Sequence, residues 1–389
     1  MNTVLDKFAQ AAQRPYEHVK AWKQERGVKA VGTLPMHFPA EIIHATGALP
    51  VIVQEMPDAI TSGGGAMYPF FCGYTRSIVD QVTEDQLGFL DAIMFTDHCV
   101  QLLSAADVIR ISRPETTIHF HQLIASLRQP WSLESSVKTL RELVADLEEV
   151  LGVVVTEEAL RHSISVFNEN RRLIRDLYQM RRTGQIQLRA SQMQHIVKSS
   201  MVMDKETHNA LLRELIASLK TSTAPRSDEV AIFVSGHLCH APRPEILDLI
   251  EDCGATIVDD DLYTGYRYVS TDVDAGIGDP IVALATAYIR KNDNVPCPTR
   301  IDPEVDWEEW LLGAVDRCGA QGLVVLLVKF CEPHYFAYPR IKAAFERNEV
   351  PHLMIETEHD GVAMENVRTK VESFVEMIKV QRAARAVAA

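Results

Sequence analysis

The sequence predicts an α/β chain in which two parallel-sheet blocks flank a helical insert. Short apolar runs broken by Gly and Pro alternate with helical patterns over residues 31–132 and again over 221–389. Between them, residues 133–220 carry apolar side chains at i, i+3, i+4 and i+7. The length, 389 residues, exceeds a single domain at about 150 residues each. Residues 1–30 read as a separate helical lead-in.

In chain order, Phe8, Ala12 and Val19 sit among polar neighbours of the lead-in, which ends near Gly27. Pro39 to Gly47 reads as a helix, with Pro in its first turn and Gly at its end. Leu49 to Gln54 and Ala92 to Thr96 read as strands, the second followed by a loop and helix through Asp97 to Leu103. Val108 to Ser112 and Thr117 to Phe120 read as further short strands. In the insert, Leu140, Leu143, Val144, Leu147, Val150 and Leu151 mark one helix. Thr156 is placed to cap the next, whose apolar face holds Leu160, Ile164, Phe167, Ile174 and Leu177. Its opposite face carries Arg171, Arg172 and Arg175, read as a solvated surface.

A polar connector, Thr221 to Ser227, precedes the second block. There Val230 to Val234 is a strand ending in Ser-Gly-His-Leu-Cys-His240, and Pro244 to Asp252 is a helix. Ala255 to Val258 is a strand ending in Asp259, Asp260 and Asp261, a turn in their simplest reading. Gly322 to Val328 and Pro351 to Ile355 complete the strands, and Val367 to Arg385 is a closing amphipathic helix. Both sheets are expected to be Rossmann/flavodoxin-like.

Composition narrows the function. With 47% hydrophobic and 24% charged residues, the chain is neither disordered nor fibrous. A net charge of -14, without any Lys/Arg cluster, argues against a nucleic-acid reader. The longest apolar run, Leu323 to Val328, is too short to span a bilayer, and Met1 to Gln13 lacks an apolar signal core. A cytoplasmic protein with no membrane partner is therefore expected. Seven scattered cysteines argue against a disulfide framework and leave buried thiols or metal ligands.

Ligands of open α/β sheets gather outside the carboxyl ends of the strands. Cys72, Cys99 and Cys331 lie on loops of that kind. A thiolate at a helix start is stabilised by backbone N–H groups and the helix dipole. Any one of them alone reads as core filler, because free Cys is often buried. Filler and ligation both stay open on spacing alone. No C-x-x-C pair is present, so a tetrathiolate zinc knuckle is excluded, and an iron–sulfur cluster with one open iron suits three scattered thiols better. Cys253 and Cys318 precede Gly at helix ends, and Cys297 lies between two prolines. Cys239, between His237 and His240, is a competing His-x-Cys-His metal candidate. There is no G-x-x-x-x-G-K-[ST] loop, and Gly63 to Gly65 reads as a flexible loop.

Several segments carry a resemblance. Lys329-Phe-Cys-Glu-Pro-His-Tyr-Phe-Ala-Tyr-Pro339 and Pro351 to Glu358 resemble the C-terminal signature of the 2-hydroxyacyl-CoA dehydratase / benzoyl-CoA reductase family. Pro39 to Pro50, Asn168 to Arg171 and Asp259 to Tyr268 are similar to further family features, so the likeness runs from about Val31 to Ile378. The size and the Asp261 to Tyr268 stretch look closest to the smaller cluster-bearing subunit of ATP-dependent benzoyl-CoA reductases.

The resemblance implies a [4Fe-4S] cluster held by Cys72, Cys99 and Cys331 between two domains. It also implies a paired homologous subunit, an ATPase activator with its own cluster, and ferredoxin as electron donor. The implied reaction reduces benzoyl-CoA to a cyclic diene in anaerobic aromatic degradation. The alternative is an (R)-2-hydroxyacyl-CoA dehydratase working through a ketyl radical. Glu41, His98, His334 and Tyr263 are the candidate proton donors or carbonyl partners, with His98 and His334 also suited to orienting a thiolate.

Overall fold

A computed structural model describes residues 3–219, 229–359 and 361–388. The first sheet holds β1 (Ala30–Thr33), β2 (Leu49–Ile52), β3 (Ala92–Thr96) and β4 (Ile118–His121) in the order β2-β1-β3-β4. The second holds β5 (Val230–Gly236), β6 (Ala255–Asp260), β7 (Gly322–Val328) and β8 (His352–Thr357) in the order β6-β5-β7-β8. Every pairing is parallel. Parallel neighbours need helical crossovers that cover both faces, which is why β7 is a continuous Val/Leu run buried along its whole length. The fold is therefore α/β with two parallel-sheet domains, as the alternating pattern predicts.

The lead-in is two helices, Thr3–Gln13 and Pro15–Arg26, the second closed by Gly27 in the left-handed region. Phe8 and Val19 are wholly buried there. Four helices of the insert, Ser132–Leu151, Glu157–Arg182, Ala190–Ser200 and Lys205–Ser218, lie against both halves. Leu140, Leu143 and Ile164 share a core with Val31 and Met94 of the first sheet. Ile281 and Leu284, from the helix Pro280–Ile289 beyond β6, join the same core. The Thr156 hydroxyl accepts from the Ala159 N–H at 3.1 Å, the expected cap.

Four sequence expectations are corrected. Val108 to Ser112 is the end of the helix Val100–Ser112, whose Leu102, Ala105, Ala106 and Ile109 are buried at helical spacing. A short apolar run alone does not distinguish the two periods. Gly63 to Gly65 belongs to a helical turn, Ser62–Ala66, pinned where the Gly63 N–H donates to Asp80 Oδ1 at 2.8 Å. The arginine face is only partly solvated: Arg172 pairs with Asp176 in the open, but Arg171 reaches buried Glu41 and Arg175 binds Asp272. The aspartates after β6 are more than a turn. Asp260 accepts from Tyr178 Oη at 2.8 Å, and Asp261 accepts from Trp307 Nε1 at 3.0 Å and Arg267 at 3.1 Å. The connector at 221–227 lies outside the described residues. Among the described residues no helix is long and apolar enough to cross a membrane.

Candidate functional site

Three helices begin at the cleft between the sheets, and a cysteine caps each. Cys72 precedes Gly73–Thr83, Cys99 precedes Val100–Ser112, and Cys331 precedes Glu332–Arg347. Cys99 follows β3 and Cys331 follows β7, the equivalent strand of the other sheet, beside the point where strand order reverses. Each sulfur therefore faces the positive end of a helix dipole. None makes a side-chain capping hydrogen bond among the described residues, but first-turn N–H groups work against burial at all three thiols: Thr75 for Cys72, Gln101 and Leu102 for Cys99, His334 for Cys331.

The sulfurs sense one another. Burial, then the neighbouring Cys72, pushes Cys99 up to about 12. Cys331 is likewise raised by burial, with Cys72 and Cys99 adding to it. Gln101 straps the three loops together: its Oε1 accepts from the Cys72 N–H at 2.8 Å, and its Nε2 donates to the Phe330 carbonyl at 3.1 Å.

Cys72 differs from the other two. Burial works to raise it, but a hydrogen bond and charge from His240, with Thr75 Oγ1 at 3.3 Å, hold it below the ordinary thiol value. His240 in turn resists its own desolvation and rises to about 10, because Glu55 and Cys72 flank it. Glu55 Oε2 lies 2.6 Å from His240 Nδ1, and Oε1 lies 2.7 Å from His359 Nδ1. Despite burial, these two imidazoles hold the Glu55 carboxyl far below the usual carboxylate range. Gly73 allows this close approach, since a Cβ there would stand 2.5 Å from His359 Cβ and 2.9 Å from Glu55 Oε1. A cleft of about 470 Å³ opens onto Glu55 and His240 and is also lined by His195, Lys198, His237 and Arg243.

The remaining sequence candidates fall in different places. Glu41 is buried and ion-paired with Arg171; among the described residues no hydrogen bond or ion pair ties it to a cysteine. His98 is buried 5.1 Å from the His37 ring, and its Nδ1 has no hydrogen-bond partner among the described residues. Burial, then Arg300, holds it uncharged. His334 is wholly buried against Trp307, and burial lowers it to about 3. Tyr263 is buried against Tyr268 at 5.8 Å and is raised well above the ordinary phenol value, chiefly by burial.

Cys239 has a different setting from the one its flanking histidines suggest. Burial raises it, and Cys99, Cys331 and Cys72 each add to the shift, so it lies in their neighbourhood. His237 and His240 turn elsewhere, to Thr357 Oγ1 and Glu55 respectively. Glu55, Gln101 and His359 carry no recognisable motif; their roles come from contacts across 29 to 304 positions of chain.

Donor spacing tests what the thiols suit. Among the described residues, no three cysteine sulfurs lie within 4.8 Å of one another. A single tetrahedral ion, with metal–sulfur bonds of about 2.3 Å, needs its sulfurs about 3.8 Å apart. The soft, all-sulfur donor set is of the kind that a polynuclear iron–sulfur cluster takes.

Two parallel-sheet domains with thiols gathered between them define a class of α/β protein built around a shared interdomain site. Residues 35–378 match the family described as "2-hydroxyglutaryl-CoA dehydratase, D-component", and the chain belongs to that family. It is 30% identical to lactoyl-CoA dehydratase subunit beta of Anaerotignum propionicum over 97% of this chain and 99% of that one. It is 26% identical to one of the subunits of benzoyl-CoA reductase of Thauera aromatica over 93% and 94% of the two chains. For (R)-2-hydroxyglutaryl-CoA dehydratase, subunit beta, of Acidaminococcus fermentans the identity is 23% over 97% and 100%.

Proposed function

We propose that the chain is the [4Fe-4S]-bearing subunit of a cytoplasmic, hetero-oligomeric enzyme acting on acyl-CoA thioesters, with Cys72, Cys99 and Cys331 as cluster ligands. The observation that carries this reading is the convergence of three helix-capping thiols from two domains, strapped by Gln101. Such a cluster supplies single electrons at low potential, which a thioester carbonyl can accept. Three helix N-termini favour the thiolates, and burial keeps water away. His240, protonated between Glu55 and Cys72, is better placed as a proton carrier than the four sequence candidates. Glu41 is locked by Arg171, and His98 and His334 are uncharged. The cationic lining of the 470 Å³ cleft, Lys198 and Arg243, suits the phosphates of a coenzyme A ester.

Exposed apolar side chains surround the cysteines: Tyr68 and Phe70 before Cys72, Val100 and Leu103 after Cys99, Phe336 after Cys331. In this reading the face receives a paired homologous subunit, with an ATPase activator, fed by ferredoxin, delivering electrons to the pair.

Dehydration of an (R)-2-hydroxyacyl-CoA is the favoured reaction, given the 30% identity to a lactoyl-CoA dehydratase subunit across 99% of its length. Reductive dearomatisation of benzoyl-CoA is the second reading, supported by the 26% identity to the benzoyl-CoA reductase chain. The test is anaerobic co-purification with the neighbouring subunits, followed by product analysis with activator and ATP. Formation of 2-enoyl-CoA from (R)-lactoyl-CoA supports the first, and a cyclic diene from benzoyl-CoA the second. A colourless, iron-free complex that turns over neither sinks both.

A further inference from the structure

A second set of donors meets where three helices adjoin. His44 lies in the last turn of the helix Ala40–Ala45. Asp204 caps the helix Lys205–Ser218, and Glu206 stands in its first turn. Ligand atoms of His44, Asp204 and Glu206 all lie within 4.8 Å of one another. Glu206 Oε2 is 3.1 Å from His44 Nε2, and its Oε1 is 3.3 Å from Nε2 of His162 on the helix Glu157–Arg182.

Hydrogen-bond direction decides what this cluster needs. The Ser163 hydroxyl donates its single hydrogen to the Glu41 carbonyl at 2.8 Å, so toward His44 Nδ1, 3.0 Å away, it can only accept. His44 Nδ1 therefore carries a proton. In the neutral ring Nε2 then presents a lone pair to the Glu206 carboxylate, and two acceptors face each other. A second proton or a metal cation resolves the conflict. An imidazole whose outer N–H is held by another residue, with its bare nitrogen turned to carboxylates, is the usual arrangement of a metal-binding histidine. Asp204 is oriented as well, because its Oδ2 accepts from the Thr207 N–H at 2.9 Å.

We propose that His44 Nε2, Asp204 and Glu206 form a divalent transition-metal site of the zinc class, with His162 or water completing the coordination. Such an ion clips the helix bearing Glu41 to the helix that begins at Lys205, and with His162 as ligand also to the helix bearing Arg171. The site is independent of the cysteines and of the reaction assigned to them.

The test uses the anaerobically purified complex, cleared of loose metal by a chelator that leaves its iron content unchanged, and titrated with Zn²⁺. One zinc per chain is expected, with a rise in melting temperature. Glu206→Gln and His44→Gln should lose both effects. Ser163→Ala, which removes the acceptor for the Nδ1 proton together with the hydroxyl donor to the Glu41 carbonyl, should weaken binding about 10–100-fold. Cobalt in place of zinc should show d–d bands without thiolate charge transfer. Absence of stoichiometric zinc, undiminished binding in Glu206→Gln, or a thiolate band from cobalt overturns the proposal, and the proton is then what resolves the His44–Glu206 conflict.

Discussion

Strand order runs β2-β1-β3-β4 in the first sheet and β6-β5-β7-β8 in the second, and in each the third strand delivers a cysteine to a helix N-terminus. The loops around those matched thiols diverge. The first domain adds a second thiol, Cys72, on the crossover after β2. The second adds an imidazolium instead: the β5 end turns through Gly236 and places His240 on Cys72. Gly236 is needed there, since a Cβ would stand 2.1 Å from the Leu326 carbonyl oxygen. Edge strands diverge too. β2 ends in apolar residues, whereas β6 ends in buried aspartates. One topology thus hosts two kinds of chemistry, because function resides in the loops past the strand ends.

The largest effect should come from the thiols. Serine at Cys72, Cys99 or Cys331 is expected to strip iron and acid-labile sulfide from the anaerobic complex, whereas serine at Cys253 should leave both unchanged. Cys239→Ser is expected to keep the iron. If it does not, the second domain also supplies two thiols and the asymmetry disappears.

Glu55→Gln comes next. It leaves the His240 cation buried without its counter-charge, at a cost of about 3–5 kcal/mol in denaturant unfolding. The β6 aspartates set a pH dependence that the β2 edge lacks. Burial, then Asp259, raises Asp260 to about 7 from an ordinary 3.8. The folded state thus holds a proton that the unfolded chain releases. The resulting stabilisation is complete below about pH 4 and is lost as pH rises through 7. In Asp260→Asn, the difference in melting temperature between pH 5 and pH 8 should shrink. A change of equal size on altering the β2 edge would break the contrast. The smallest effect is expected for Gln101→Ala, which leaves the buried Cys72 N–H unpaired and should cost about 1–3 kcal/mol.

Much of this was legible from residue order. β3 and β7 follow from apolar runs of strand length, and the Thr156 cap from its position before a helical pattern. Cys72, Cys99 and Cys331 stand out because local sequence places each at the start of a helix. Val108 to Ser112 misleads because five apolar and polar residues satisfy either period. Partners of Cys72 leave no local trace: Glu55, His240 and His359 are brought together only by docking of the two halves. Glu41 misleads for the same reason, since Arg171 is 130 positions away.

Phe330 sits in the left-handed region at φ 66°, immediately before Cys331, where a bulky side chain costs about 1–2 kcal/mol. Its carbonyl is gripped by Gln101 of the opposite domain. The peptide before this thiol is thus tied across the cleft as well as within its own turn, where the Cys331 N–H donates to the Val328 carbonyl at 3.0 Å. The backbone at this thiol therefore draws on both halves, through a bond that the C-terminal half alone could not make.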